Sequence, residues 1–300
     1  MDRLDSMRIF TRIVEQKSFS AAARDFGLPA STVTDAVKQL ETRLGVRLLQ
    51  RTTRHVSATV DGEAYYRRCL AILDDVEDAE SAFGAKPRGL LHIDVQGRLA
   101  RRFLLPALPQ FLARYPQIEF VMTEGDRFVD LVREGVDCVL RVGNLADSGM
   151  VARQLALLQE VTCASPGYIA RFGMPRRWDA LAGHQMVGFR SSAIGGVMPL
   201  EFQVGKILKT VMLPRILTVN GAESYRAAAI QGLGLIQIPR YSLDEDIARG
   251  ALVPVLEDTP PSPSPLSLLY PQNRQISARL QVFMDWVMQE LATHDLRRSP

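Results

Sequence analysis

Three patterns predict an α/β multidomain chain of 300 residues. Residues 18–55 set a helix, a Gly-Leu-Pro turn, a second helix and a basic hairpin in succession. Residues 65–83 carry apolar side chains at heptad spacing, and from Leu90 onward short apolar runs alternate with helical patterns. The first pattern reads as an N-terminal winged helix-turn-helix and the second as a long linker helix. The third reads as a C-terminal two-lobed α/β domain.

Leu4, Met7, Phe10 and Val14 recur at helical spacing and predict a first amphipathic helix. Ser20 is placed to start the next, with Ala21, Ala22, Ala23 and Phe26 as its close-packing side, and Gly27-Leu28-Pro29 ends it. Val33, Val37, Leu40 and Leu44 then share the inner face of a further helix, closed by Gly45 in a left-handed cap. Its opposite face carries Ser31, Thr34, Asp35, Lys38 and Thr42, mostly short hydrogen-bonding side chains of the kind that read base edges and phosphates. Arg47, Arg51, Thr52, Thr53, Arg54 and His55 cluster just downstream and read as a wing on the phosphate backbone. The set expected to contact double-stranded DNA is Ser20, Ala30, Ser31, Thr32, Thr34, Asp35 and Lys38 from the hairpin, with Arg51, Thr52, Thr53 and Arg54 from the wing.

Tyr65, Cys69, Ile72, Val76, Ala79 and Phe83 follow steps of four, three, four, three and four, with the acidic residues between 74 and 80 largely off the seam. So narrow a stripe suits pairing with a second helix, and these six are the candidate dimerisation residues. A helix lying on its own domain would show the same spacing. Ala85-Lys86-Pro87-Arg88-Gly89 supplies a Pro/Gly hinge. The expected boundaries are 1–60 for the winged domain, 61–88 for the linker helix and hinge, and 89–300 for the C-terminal domain.

In that last domain LLHIDV, LARRFLLPALPQFLARYP, IEFVMTEG, FVDLVREG and DCVLRVG read as βαβαβ, which implies a parallel sheet with right-handed crossovers. VTCAS, PGYIARFG, MVGF, ILTVNG, ESYRAAAIQGLG and LIQIP read as a second, interrupted α/β subdomain. The chain then returns through LSLLYP and a helix from Ser277 to about Leu291. Lobe I is therefore expected at about 89–161 and 267–300, and lobe II at about 162–266. Ligands of open α/β sheets sit beyond the carboxyl ends of the strands. That rule nominates Gln96, Gly97, Arg98, Leu99, Glu124, Arg127 and Arg141 from lobe I, and Phe189, Ser191, Asn220, Ala222 and Glu223 from lobe II. Each is as able to cap a helix or bridge the lobes as to touch a ligand.

Residues 1 to about 85 resemble the winged domain of LysR-type transcriptional regulators. FTRIVEQKSFSAAAR, LPASTVTDAVKQLETRLGVRLLQRT and Thr59-Val60-Asp61-Gly62 carry the likeness, which runs on into the C-terminal part. The resemblance implies an effector domain built like a periplasmic solute-binding protein and a small-molecule effector held between its lobes. It also implies a homodimer or homotetramer on an interrupted palindromic promoter site, and admits RNA polymerase as a further partner. The chain departs from the family's pattern at Pro29, where a small polar cap is usual, at Asp35, often a basic position, and at Gly97-Arg98-Leu99-Ala100, where many relatives place a Ser or Thr against an effector carboxylate.

Composition excludes other classes. Net charge is +3, but residues 1–60 hold ten Lys/Arg against six Asp/Glu while residues 61–85 hold two against seven. The basic excess is local, and its clustering from Arg43 to Arg54 carries the DNA inference. Cys69, Cys138 and Cys163 are widely separated and no His is spaced for zinc, so neither disulfides, metal nor another cofactor is expected. The charged, amphipathic N-terminus is unlike a secretion signal and no apolar run reaches membrane-spanning length, which places the protein in the cytoplasm and off the membrane. An enzyme would need a motif the chain lacks. There is no Gly-x-Ser-x-Gly, no His-Glu-x-x-His and no phosphate-binding loop, and Gly232-Leu-Gly234 lacks a third glycine. A transport solute-binding protein would explain residues 90–300 but not 1–60.

The wing reading has a direct test. Arg51→Ala is expected to weaken binding to all duplexes alike and to flatten the dependence of log affinity on log salt by about 0.9. Filter binding across a salt series measures it, and an unchanged slope removes Arg51 from the phosphate contacts.

Overall fold

Asp2 starts the chain's first helix, α1 (Arg3–Gln16), by accepting from the Arg3 N–H, and Lys17 ends it in a left-handed turn at φ 50°. The computed structural model describes residues 1–51, 56–81, 86–126, 131–143, 150–192, 194–272 and 276–294. These fall into two compact units, Met1–Gly89 and Leu90–Pro300.

In the first unit α2 (Phe19–Asp25) is capped by Ser18, whose hydroxyl accepts from Ala21 N at 3.2 Å. The expected starter, Ser20, instead lies exposed within the first turn. The extended backbone a cap needs occurs at Ser18, one residue past the Lys17 turn. The helix α3 (Ala30–Leu44) begins at Pro29, which offers no side-chain cap, and ends at Gly45 with φ 72°. Its inner row is Val33, Ala36, Val37 and Leu40, each at most 3% exposed and packed with Phe10, Ile13 and Ala22. Leu44 and Phe26, expected in that core, are each 39% exposed. The Gly45 turn brings Leu48 and Leu49 back to fill that end of the core, so Leu44 is not needed there.

The strands β1 (Leu49–Arg51) and β2 (Val56–Ala58) form the antiparallel wing, with Leu49 opposite Ala58. Thr59 then caps α4 (Val60–Ser81). Its hydroxyl accepts from Gly62 N at 2.9 Å and donates to the Arg47 carbonyl at 2.7 Å. The expected heptad seam divides along α4. Tyr65 packs on Phe10 with ring centroids 5.6 Å apart, and Cys69 is fully buried in the unit's own core. Neither is available to a second helix, because Phe10 and its neighbours already cover that stretch. Ile72, Val76 and Ala79 leave the core, while Phe83 lies outside the described residues.

The second unit opens with β3 (Gly89–Val95), α5 (Gly97–Leu99) and α6 (Leu105–Arg114), joined by a π-helical turn over Ala100–Leu104. Pro106 and Pro109 have no N–H for the carbonyls four residues earlier, and Leu105 N donates instead to Ala100 O, five residues back. Next come β4 (Ile118–Glu124), α7 (Leu131–Glu134), β5 (Cys138–Val142) and β6 (Met150–Leu158). Lobe II holds β7 (Glu160–Ala164), α8 (Pro166–Phe172), β8 (Gly188–Phe189), β9 (Leu200–Val204), β10 (Ile207–Val211) and β11 (Thr218–Val219). It continues with α9 (Ala222–Ile230), β12 (Ile236–Pro239), α10 (Asp244–Ala248) and β13 (Val253–Pro254). The chain returns to lobe I through β14 (Ser264–Pro271) and α11 (Ala278–Thr293), the latter capped by Ser277.

The lobe I sheet has the order β4-β3-β5-β14-β6. It is mixed, a correction to the wholly parallel sheet read from the sequence. β3 and β5 are parallel, but β14 runs antiparallel to both β5 and β6. β6 carries the chain out of lobe I and β14 carries it back, so the pair must run in opposite directions. In lobe II β7 sits between β12 and β13, antiparallel to each.

Gly62 holds the wing against α4. A Cβ there would meet the Leu48 carbonyl oxygen at 1.9 Å. Gly62→Ala is expected to lower the unit's stability by about 1–3 kcal/mol and to weaken DNA binding with it. A thermal melt unchanged from the wild type would show that the junction has room to spare.

Candidate functional site

The outer face of α3 is the first candidate. Ala30, Ser31, Asp35, Lys38 and Thr42 are exposed, as are Arg43 and Arg47, while Thr32 and Thr34 are half-buried. Thr34 donates its hydroxyl proton to the Ala30 carbonyl at 2.9 Å, and Thr42 does the same to Lys38 at 2.8 Å. A threonine bonded in this way keeps its lone pairs and its methyl group outward. Thr34 therefore meets a base as an acceptor or through its methyl, not as a donor. Because Pro29 supplies no cap, the first-turn N–H groups of α3 have no side-chain acceptor from it. Arg51 closes β1 opposite Val56; Thr52, Thr53 and Arg54 lie outside the described residues.

The second candidate is the seam between the lobes of the second unit. The Arg98 guanidinium meets the Glu223 carboxylate at 3.3 Å, and Arg101 meets Glu124 at 2.9 Å and Glu223 at 3.4 Å. Asp126, just past β4, accepts from Ala222 N at 2.9 Å and so caps α9 from the other lobe, while the Ser192 hydroxyl donates to its carbonyl at 3.3 Å. Behind them Arg226 binds Asp246 at 2.8 Å, and Arg249 joins the same carboxylate. Burial alone would raise the fully enclosed Asp246 carboxyl, but Arg226, with Arg249 and Arg98, holds it below its ordinary value.

Of the nominated effector residues, the structure thus brings together Arg98, Glu124, Ala222 and Glu223. Three others serve within one lobe. Leu99 is fully buried in the lobe I core, because the turn it stands on packs inward against the sheet. Arg141 is buried against Asp94 and donates to the Leu140 carbonyl at 3.1 Å, a site inside lobe I. The Gln96 amide oxygen accepts from Val142 N at 3.1 Å and ties its loop to β5. Phe189 packs on Tyr225 at 5.1 Å, Ser191 is half-buried, Asn220 is exposed, and Arg127 lies outside the described residues. Gly97 stands where a Cβ would come within 2.3 Å of Glu124 and 2.8 Å of Arg101. Sequence reading missed Arg101 and Asp126 as bridging residues. The signal for Arg101 was its place three residues after Arg98, which puts both guanidinium groups on one face of a turn.

Elsewhere three histidines have structural partners. The His92 ring lies 3.2 Å from the Gly135 carbonyl, His184 is buried against the Tyr168 hydroxyl at 3.0 Å, and His294 packs on Phe103. A groove of about 390 Å³ between α6 and α11, lined by Phe111, Tyr115 and Trp286, contains none of the seam residues. Among the described residues no group of three His, Cys, Asp or Glu could hold a metal, and no helix is long and apolar enough to cross a membrane.

Comparison with known proteins gives a consistent result. Residues 4–63 match the family described as bacterial regulatory helix-turn-helix protein, lysR family, and residues 84–292 match the LysR substrate binding domain. An HTH-type transcriptional regulator of Escherichia coli, YhjC, is 40% identical over 292 residues, covering 96% of this chain and 97% of that protein. The HTH-type transcriptional regulator CrgA of Neisseria meningitidis is 34% identical over 97% of both chains. A solved structure of CrgA superposes with a TM-score of 0.59 over 96% of this chain and 98% of that one.

One half-buried acid near the lobe crossover sets a pH dependence. Burial pushes the Glu160 carboxyl up to about 8, Glu201 adds to the rise, and the Ser264 hydroxyl, donating at 2.6 Å, opposes it. An unfolded chain releases this proton near pH 4.3, so the folded form binds it more tightly. Stability is therefore full at low pH and falls between those two values, by up to about 1.4 kcal/mol per pH unit. Glu160→Gln is expected to remove that slope. Denaturant midpoints measured from about pH 5 to 9 should fall for the wild type and stay flatter for the variant, whereas parallel curves would mean that the folded protein holds Glu160 ionised.

Proposed function

The chain belongs to the LysR family of transcriptional regulators, and from that premise we propose that it acts as a dimeric or tetrameric cytoplasmic regulator whose DNA binding is set by a small molecule held between its two C-terminal lobes. The observation that carries this reading is the exposed polar face of α3, flanked by the wing and by Arg43 and Arg47. Ser31, Thr34 and Lys38 would face base edges, while Arg51 and its neighbours would hold phosphates. Asp35 either accepts from a cytosine amino group or stays clear of the backbone. Two such units, paired through the exposed part of α4 from Ile72 onward, would read half-sites of an interrupted palindrome whose spacing mirrors the protein's symmetry. RNA polymerase is the natural further partner at a promoter. The reading assigns no catalytic step to any residue.

Regulation follows from the seam. A ligand that binds one arrangement of the lobes better than another shifts the population between them, and so changes how the DNA-binding units are presented. The test is retention of genomic DNA fragments by the purified protein at near-physiological salt, followed by sequencing. A few enriched sites sharing a two-fold symmetric element are expected. Retention of random duplex to the same extent would defeat the regulator reading.

A further inference from the structure

Three guanidinium groups converge on one carboxylate at the lobe seam. Glu223 lies 3.3 Å from Arg98, 3.4 Å from Arg101 and 3.4 Å from Arg226. All three distances exceed those of an optimised charge-assisted hydrogen bond, and the Glu223 side chain is 49% exposed. Arg226 has a closer partner in Asp246, and Arg101 has one in Glu124. Glu223 is therefore a loosely held, solvent-reachable carboxylate on a set of cations whose firmer contacts lie elsewhere. Exposed pairs of this kind contribute little and are easily exchanged.

The remaining geometry selects the sign of what could replace it. A cationic ligand would have to take Glu124 or Glu223 from arginines that already hold them, leaving those arginines facing one another. An oxyanion needs only to move Glu223 outward, after which Arg98 and Arg101 present the paired N–H donors that match a carboxylate or phosphate. Gly97 supports the same conclusion. Position 97 carries no side-chain hydroxyl, and the ends of the Glu124 and Arg101 side chains lie over the space that a Cβ there would take, so the guanidinium groups are the donors on that side of the seam.

We propose that Glu223 is an internal stand-in for the effector's anionic group, and that the effector is a small oxyanion, carboxylate or phosphate, which displaces Glu223 from Arg98 and Arg101. The inference rests on the reading of the seam as the effector site. Displacement of Glu223 releases a contact that ties α9 of lobe II to the first turn of lobe I, so effector binding and lobe arrangement are one event.

The experiment titrates full-length protein with inorganic phosphate and, separately, with acetate at constant ionic strength, by calorimetry. Glu223→Gln removes the competing charge and is expected to bind at least one of the two about tenfold more tightly than the wild type, since the competent fraction of the site rises. Tighter phosphate binding alone assigns the site to phosphate-like anions, and tighter acetate binding alone assigns it to carboxylates. Adding Arg101→Gln to that variant is expected to abolish the gain. Hydrogen exchange is expected to quicken at residues 97–101 and the first turn of α9 in Glu223→Gln. Three results would each overturn the proposal: no gain for either anion, a gain that survives Arg101→Gln, or an equal gain from Glu119→Gln on β4, which would reflect net charge alone. Failure of the regulator reading would appear separately, as loss of specific duplex retention by the wild-type chain.

Discussion

The backbone of Leu48 is hydrogen-bonded on both sides, donating to α3 and accepting from the cap of α4, and the geometry of the first unit follows from this. Its N–H is taken by the Glu41 carboxylate at 2.8 Å, with Leu49 N sharing the same oxygen at 3.1 Å. Its carbonyl accepts from Thr59 N at 2.9 Å, and Gly62 lies hard against that oxygen. Glu41 belongs to α3, Leu49 opens the wing, and Thr59 caps α4. One peptide unit thus fixes the recognition helix, the wing and the linker helix relative to each other. Reading DNA with a helix and a strand pair together requires that both hold one register, and buried, satisfied backbone groups provide it at little entropic cost.

The second unit uses charge in two opposite ways. Asp94 and Arg141 are buried together, and Thr123 donates to the same carboxylate at 2.7 Å. Removing one partner of such a pair leaves an uncompensated charge and costs about 3–5 kcal/mol. The exposed pairs at the lobe seam contribute about 0–1 kcal/mol each. The difference decides where the unit can yield. The lobe I sheet is pinned by its interior pair, while the seam can exchange partners without threatening the fold.

How far these arrangements were legible in the sequence depends on what each residue packs against. The alternation of Val33, Val37 and Leu40 announced α3 because a single helix face decides that pattern, and Gly45 announced its end. β6 was invisible to the same reading. It is an edge strand of mixed burial, so its Arg, Gln and Ala residues break the apolar run that marked β3 and β5. The β9-β10 hairpin escaped for a similar reason, since Ile207 to Thr210 are exposed on its outer strand. There Val204-Gly205-Lys206-Ile207 did hold a two-residue turn signal, with Gly205 at φ 61°. Leu99 and Arg141 were nominated from loop position alone, and loop position does not reveal which way a side chain turns. Asp126 was unreadable as a cap because the helix it caps begins 96 residues later.

The linker helix shows how a periodic signal can serve two ends at once. Tyr65 and Cys69 continue the heptad spacing of Ile72, Val76 and Ala79, yet the first two are used up inside the domain. Burial in that core pushes the Cys69 thiol up to about 11, which keeps it neutral and unreactive. Beyond that core the described part of α4 runs from Ile72 to Ser81, with Ile72 and Ala79 exposed and Val76 half-buried. A dimer of the kind proposed would therefore draw on Ile72, Val76 and Ala79, which the domain leaves outside its core, and not on Tyr65 or Cys69, which it has already enclosed.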